Sequence, residues 1–266
     1  MLRKLYKYET KATARMFLPL YGALILFAVI NKIFLSINAY GSRNLALSLP
    51  AGVSTTVYVL LIIAIFALTF VVMIQRFYKN LLKDEGYLMF TLPVKPWKHI
   101  VTKLLNTMMW VIVSLIVTMI SGIILIWSKE ALEGITGFLH FFFTTFNYTF
   151  GLQGYIVVGE FCLLMLTSLA LGIQTIYTSI SIGQLSNQHK LLVSFAAFLG
   201  INVVSQIIVT ILISIAGVMN LDWLTQLGQW DAVHMVMTGG IILNIIFFAA
   251  CYIVCNYLLN RHLNLE

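Results

Sequence analysis

Charge is what this chain has least of. Only 9% of its 266 residues are Asp, Glu, Lys or Arg, and 61% are apolar, where soluble domains sit near ~25% and ~45–50%. A soluble fold of this length could not cover so much apolar surface with polar groups, so lipid is the solvent it requires. Other absences exclude chemistry. None of the 17 glycines is followed by lysine, which rules out a G-x-x-x-x-G-K-[ST] phosphate loop and ATP hydrolysis by that route. The five histidines are scattered and none has a metal-ligand spacing. Serine and cysteine nucleophiles lack any partner that sequence can identify. Cys162, Cys251 and Cys255 all lie in apolar runs. They read as small packing residues, not as disulfides or zinc ligands.

Six long apolar runs remain. About 20 helical residues cross the ~30 Å hydrocarbon core, and helices satisfy their own backbone groups in lipid. The expected spans are Met16–Ile37, Val53–Gln75, Leu104–Trp127, Tyr155–Ile182, Leu191–Val218 and His234–Leu259, forming one transmembrane domain over 1–266. No charge falls between Arg43 and Arg76, Lys103 and Lys129, Glu160 and Lys190, or Asp231 and Arg261. Lys32 is the exception, late in the first run, where its stem can snorkel to the interface. The first run is too long for a signal-peptide core and lacks a convincing cleavage site, so it reads as a retained span.

The basic residues set the orientation. Arg3, Lys4, Lys7, Lys11, Arg15, Arg76, Lys79, Lys83, Lys95, Lys98, Lys103, Lys190 and Arg261 fall on one face, 13 of the 16. The positive-inside rule puts that face in the cytoplasm, with both termini, as an even number of spans requires. The net charge of +7 is therefore an orientation signal and not a nucleic-acid footprint. On the other face, Phe141–Phe143, Phe146, Tyr148 and Phe150 crowd the third loop, and Trp223 and Trp230 mark the fifth. Such rings favour headgroup depth; the alternative is a substrate gate.

The loop Arg76–Lys103 is the densest in signal. Phe77–Glu85 can prolong the second span as helix, with Gly86 a terminator. Asp84 and Glu85 precede an apolar cluster of Tyr87, Leu88, Met89, Phe90 and Leu92, and Pro93 and Pro96 break any helix before Trp97. Exposed apolar patches usually mark contacts: this one can fold back onto headgroups or fill a groove on a soluble partner.

The run KDEGYLMFTLPV, preceded by RFYKNLL, resembles bacterial ABC transporter permeases of the type-2 exporter class. The run SISIGQLSNQHKLL between spans four and five, the basic N-terminal segment and the six-span layout are similar to the same group. The resemblance covers essentially the whole chain. It implies an all-α permease subunit with an N-terminal amphipathic elbow over Leu2–Arg15, without catalytic residues or cofactor of its own. ATP and Mg²⁺ would be held by separate ATPase subunits, and a second permease chain would complete a dimer in the bacterial cytoplasmic membrane. The segment Lys83–Trp97 would seat on the ATPase as a coupling helix. One departure stands out: Met219–Val233 leaves room only for short helical turns where many members carry a longer excursion.

Within the spans, Ser168, Gly172, Thr175, Ser179 and Gly183 share one face of the fourth, and Asn202, Gln206, Thr210 and Ser214 share one face of the fifth, with Ser205 beside them. Such stripes pack helices closely or line a substrate path or dimer seam. Glu160, the single acid within a span, lies in the first turns of the fourth. It reads either as an anchor at a helix N-terminus or as the coupling site of a proton-driven carrier. A non-transporting immunity or scaffold protein is the third reading of the chain.

Overall fold

The structure, a computed structural model of the chain, describes residues 2–39, 45–82, 95–186, 188–218 and 228–261. Among these residues it is all helix: α1 (Leu2–Ala39), α2 (Leu45–Leu82), α3 (Pro96–Ile126), α4 (Lys129–Gly183), α5 (Lys190–Val218) and α6 (Gln229–Arg261). All six are long and apolar enough to cross a membrane, one for each apolar run. Lipid dictates the choice, because an exposed strand edge would leave peptide groups unpaired in hydrocarbon.

Two boundaries differ from the expectation, and a third agrees with it. The segment Leu2–Arg15, expected as an elbow, is helical and runs directly into the first span. Pro19 lies inside this helix, where it removes one backbone bond that neighbouring groups in a membrane can replace. The helix α2 does continue past Gln75, to Leu82. The aromatic connection expected as a loop before Tyr155 is helical from Lys129, and α4 breaks only at Gly151. There φ is 53° and ψ −143°, a conformation that glycine reaches without the steric penalty of a Cβ. Upstream of it, apolar residues recur every three or four positions, which is the helical period.

The chain folds into two compact units. The first comprises Met1–Gln75 and Leu105–Phe142. Its core is a stripe of Phe17, Tyr21, Leu24 and Ala28 on α1, packed with Tyr58, Ile65 and Val72 of α2 and Trp110 of α3. Steps of three, four and seven keep each set on one helical face. Trp110 stacks on Phe17, ring centroids 4.6 Å apart. Buried polar groups lace these helices together. Trp110 Nε1 donates to Thr13 Oγ1 at 2.8 Å, and the hydroxyls of Tyr21 and Ser114 lie 2.7 Å apart. Those of Tyr58 and Ser121 are 2.9 Å apart, and Asn31 Nδ2 donates to the Ser54 carbonyl at 3.1 Å. The supposed elbow takes part, through Thr10 donating to Asn106 Oδ1 at 3.0 Å. In lipid, where apolar burial gives no preference for protein over solvent, such hydrogen bonds and close packing hold helices together.

The second unit comprises Arg76–Leu104 and Phe143–Glu266. Phe77 stacks face to face on Tyr177 at 4.1 Å, and both are buried. The helices α4 and α6 meet through Thr178, whose hydroxyl donates to the Cys251 carbonyl at 3.0 Å, and through Ser181 beside Cys255 Sγ at 3.4 Å. Cys251 and Cys255 are thus free and buried, the packing role expected for them. In contrast, α5 has no buried side chain from Lys190 to Ile215. It meets α4 closely only near Gly183 and Ser194, and the site lies along it.

Candidate functional site

Between α4, α5 and α6 lies a cavity of about 560 Å³. Ser168, Gly172, Thr175 and Thr178 reach it from α4, Gly200, Asn202 and Ser205 from α5, and Asn244 and Cys251 from α6. Leucine, isoleucine, valine, phenylalanine and alanine supply the rest of the wall, and none of the lining residues is charged. A second cavity of about 480 Å³ adjoins it, lined by Gln206 and Thr210 and sharing Leu171, Ser205, Asn244 and Phe247 with the first.

Residues singled out from sequence therefore divide. Ser168, Thr175 and Asn202 face the larger cavity; Gln206 and Thr210 face the smaller. Ser179 lines neither. It is buried, and its hydroxyl donates to the Thr175 carbonyl at 2.7 Å.

Most of these polar groups satisfy themselves within their own helix. Thr175 donates to the Gly172 carbonyl at 2.8 Å, Asn202 to that of Phe198 at 2.7 Å, Ser205 to that of Asn202 at 2.8 Å and Thr210 to that of Gln206 at 2.9 Å. Back-bonded hydroxyls keep lone pairs to offer while leaving no donor stranded in an apolar setting. The walls thus suit a neutral or amphipathic guest that presents a few hydrogen-bonding groups and a large apolar body.

The residue that ties the cavity together was not singled out. Asn244 Nδ2 donates to Ser168 Oγ at 2.8 Å, and Asn244 lines both cavities. Its signal was present: an amide in the middle of the charge-free stretch between Asp231 and Arg261.

Glu160 also has an unforeseen partner. His234 Nδ1 lies 2.8 Å from Glu160 Oε2, and its Nε2 lies 3.0 Å from Gln153 Oε1. The histidine and the acid are 22% and 16% exposed, dry enough for the contact to count. Both residues stand in the opening turns of helices that enter the membrane from the same side, so they sit at one depth. The break at Gly151 and the edge-to-face pair of Phe150 and Trp230, 5.7 Å apart, are at the same end.

Of the expected coupling segment, Asp84, Glu85, Tyr87, Leu88, Met89, Phe90, Leu92 and Pro93 lie outside the described residues, as does Trp223. Trp97 is described. It is the second residue of α3 and is exposed, with the Lys98 ammonium 5.5 Å from its ring centroid. No group of three or more His, Cys, Asp or Glu arranged to hold a metal occurs among the described residues.

Comparison with protein-family models, with curated proteins and with solved structures returned no match. The fold and composition define the class: a multi-pass, all-α membrane protein with six apolar helices.

Proposed function

We propose that this chain is the membrane-spanning permease subunit of an ATP-powered exporter, acting with separate ATPase subunits and a second permease chain in a bacterial cytoplasmic membrane. The observation that carries the transport reading is the uncharged cavity among α4, α5 and α6, walled by apolar side chains and self-satisfied hydroxyls. Such an open, uncharged groove between apolar helices fits a peptide, lipid or drug-like guest. The energy source rests on the runs KDEGYLMFTLPV and SISIGQLSNQHKLL and on the crowding of basic residues onto one face. In this reading, ATP and Mg²⁺ stay on the ATPase. Its closure pulls on Lys83–Trp97, and spans two to five repack around the cavity.

The test is purification of the full chain from its native membrane in mild detergent, followed by reconstitution. A co-purifying nucleotide hydrolase that drives ATP-dependent efflux supports the proposal. Tyr87→Asp or Phe90→Asp is expected to dissociate that complex while leaving membrane insertion intact. An unaffected complex would remove Lys83–Trp97 from the coupling role.

A second reading has its own observation. The contact of Glu160 with His234 is the kind of intramembrane ionisable pair that proton-driven carriers use. Transport that follows a proton gradient and ignores ATP would favour it.

A further inference from the structure

The helical segment 129–150 belongs to neither the crossing part of α4 nor a loop. With a rise of 1.5 Å per residue, α4 as a single rod of 55 residues would measure about 80 Å, far beyond the ~30 Å hydrocarbon core. Gly151 breaks that rod and leaves an upstream helix of roughly 33 Å. Its side chains segregate by angle. At 100° per residue, Leu132, Ile135, Phe138, Leu139, Phe142 and Phe146 fall on one side, continued by Phe143 and Phe150, while Glu133, Thr136, His140, Thr144 and Asn147 fall on the other. Phe141, toward the polar side, and Thr149, on the apolar side, are the exceptions.

Much of the apolar side is exposed: Phe138 is 64% exposed, with Ile135, Leu139, Phe142 and Phe143, while at its C-terminal end Phe146 packs on Tyr155 and Phe150 on Trp230. Standing upright into water, the segment would hold that stripe in solvent. Running on through the bilayer, it would carry Glu133 and His140 into hydrocarbon. Lying in the membrane plane resolves both, with the stripe about 5–10 Å into the headgroup–acyl boundary and the polar side in water. The end of α3 at Ile126 and the start of the crossing helix at Gly151 tether it there.

We infer that residues 129–150 form an in-plane amphipathic helix that binds the lipid interface on the membrane face opposite the termini, hinged at Gly151. Across 129–150 the charged side chains are Lys129, Glu130 and Glu133, one cation against two acids, with His140 and the phenol of Tyr148 the other ionisable groups. Attachment is therefore by apolar insertion, and anionic lipid adds nothing to it.

The wild-type chain in nanodiscs of phosphatidylcholine, with or without phosphatidylglycerol, tests this directly. A diazirine placed shallow in the acyl chain, with mass-spectrometric mapping, is expected to label Phe138, Phe142 and Phe146 several-fold more than Thr136, His140 and Thr144, equally in both lipid mixtures. As a second measurement, single-cysteine variants at Phe138, Phe142, Thr136 and Thr144, with Cys162, Cys251 and Cys255 replaced, carry an environment-sensitive fluorophore. Labels on the first two positions should be quenched by lipid-borne nitroxide, and those on the last two by aqueous iodide. Equal lipid labelling of both sides would make the segment a crossing helix, and no lipid labelling would make the stripe a protein or solvent surface. Dependence on phosphatidylglycerol would replace apolar insertion with charge attraction. Each of these results overturns the inference.

Discussion

Removing the carboxylate–imidazole contact between α4 and α6 should cost more than removing any neutral hydrogen bond of the second unit. His234 Nδ1 and Glu160 Oε2 are 2.8 Å apart, with 22% and 16% of the side chains exposed, and Gln153 Oε1 holds the other ring nitrogen at 3.0 Å. Hydrogen bonds to a charged partner retain about 1.5–3 kcal/mol net. Partial exposure lowers the expected value to about 1–2 kcal/mol, against ~0.6 kcal/mol for the average intramembrane hydrogen bond. A double-mutant cycle of Glu160→Ala and His234→Ala, read by equilibrium unfolding in mixed micelles, isolates the coupling. Gln153→Ala should reduce that coupling without abolishing it, because it frees the ring to rotate while leaving the carboxylate in place. A coupling below about 0.5 kcal/mol, the scatter of independent sites, would refute the pair as a fastening between the helices. It would also remove the structural support for a proton-driven reading.

Two further substitutions probe the packing. A Cβ added at Gly183 would collide with Ser194 Oγ and lie 2.7 Å from the Lys190 carbonyl, so Gly183→Ala should destabilise by roughly 1–3 kcal/mol, the usual cost of overpacking. The matched control, Gly172→Ala, meets nothing within 4 Å and should leave the unfolding midpoint unchanged or slightly raised. Trp110→Phe keeps the stack on Phe17 but deletes the 2.8 Å bond to Thr13; a loss of about 0.6–1.7 kcal/mol, measured in the same micelles, is expected in the first unit.

Much of the architecture was legible because it depends on local quantities. Six apolar runs gave six helices, and Thr175, Asn202, Gln206 and Thr210 reached cavities because polar residues at steps of three and four must share a face. The connection before Tyr155 reads as a loop by its aromatic composition alone. Its apolar residues in fact keep the helical period up to Gly151. The buried polar contacts of the first unit, such as Tyr21 with Ser114 and Tyr58 with Ser121, were not singled out. A lone hydroxyl in an apolar run looks the same whether it meets a partner or its own helix.

By itself the sequence determined that six apolar helices are long enough to cross lipid and that the basic residues gather at one end of them. Those features follow from run length against bilayer thickness and from the cost of placing charge in hydrocarbon. Only the tertiary structure decided that Asn244 meets Ser168, that His234 meets Glu160, and that α5 stands far enough away to leave a cavity. Such contacts depend on the rotation and depth of helices separated by more than 70 residues, and no local pattern fixes either.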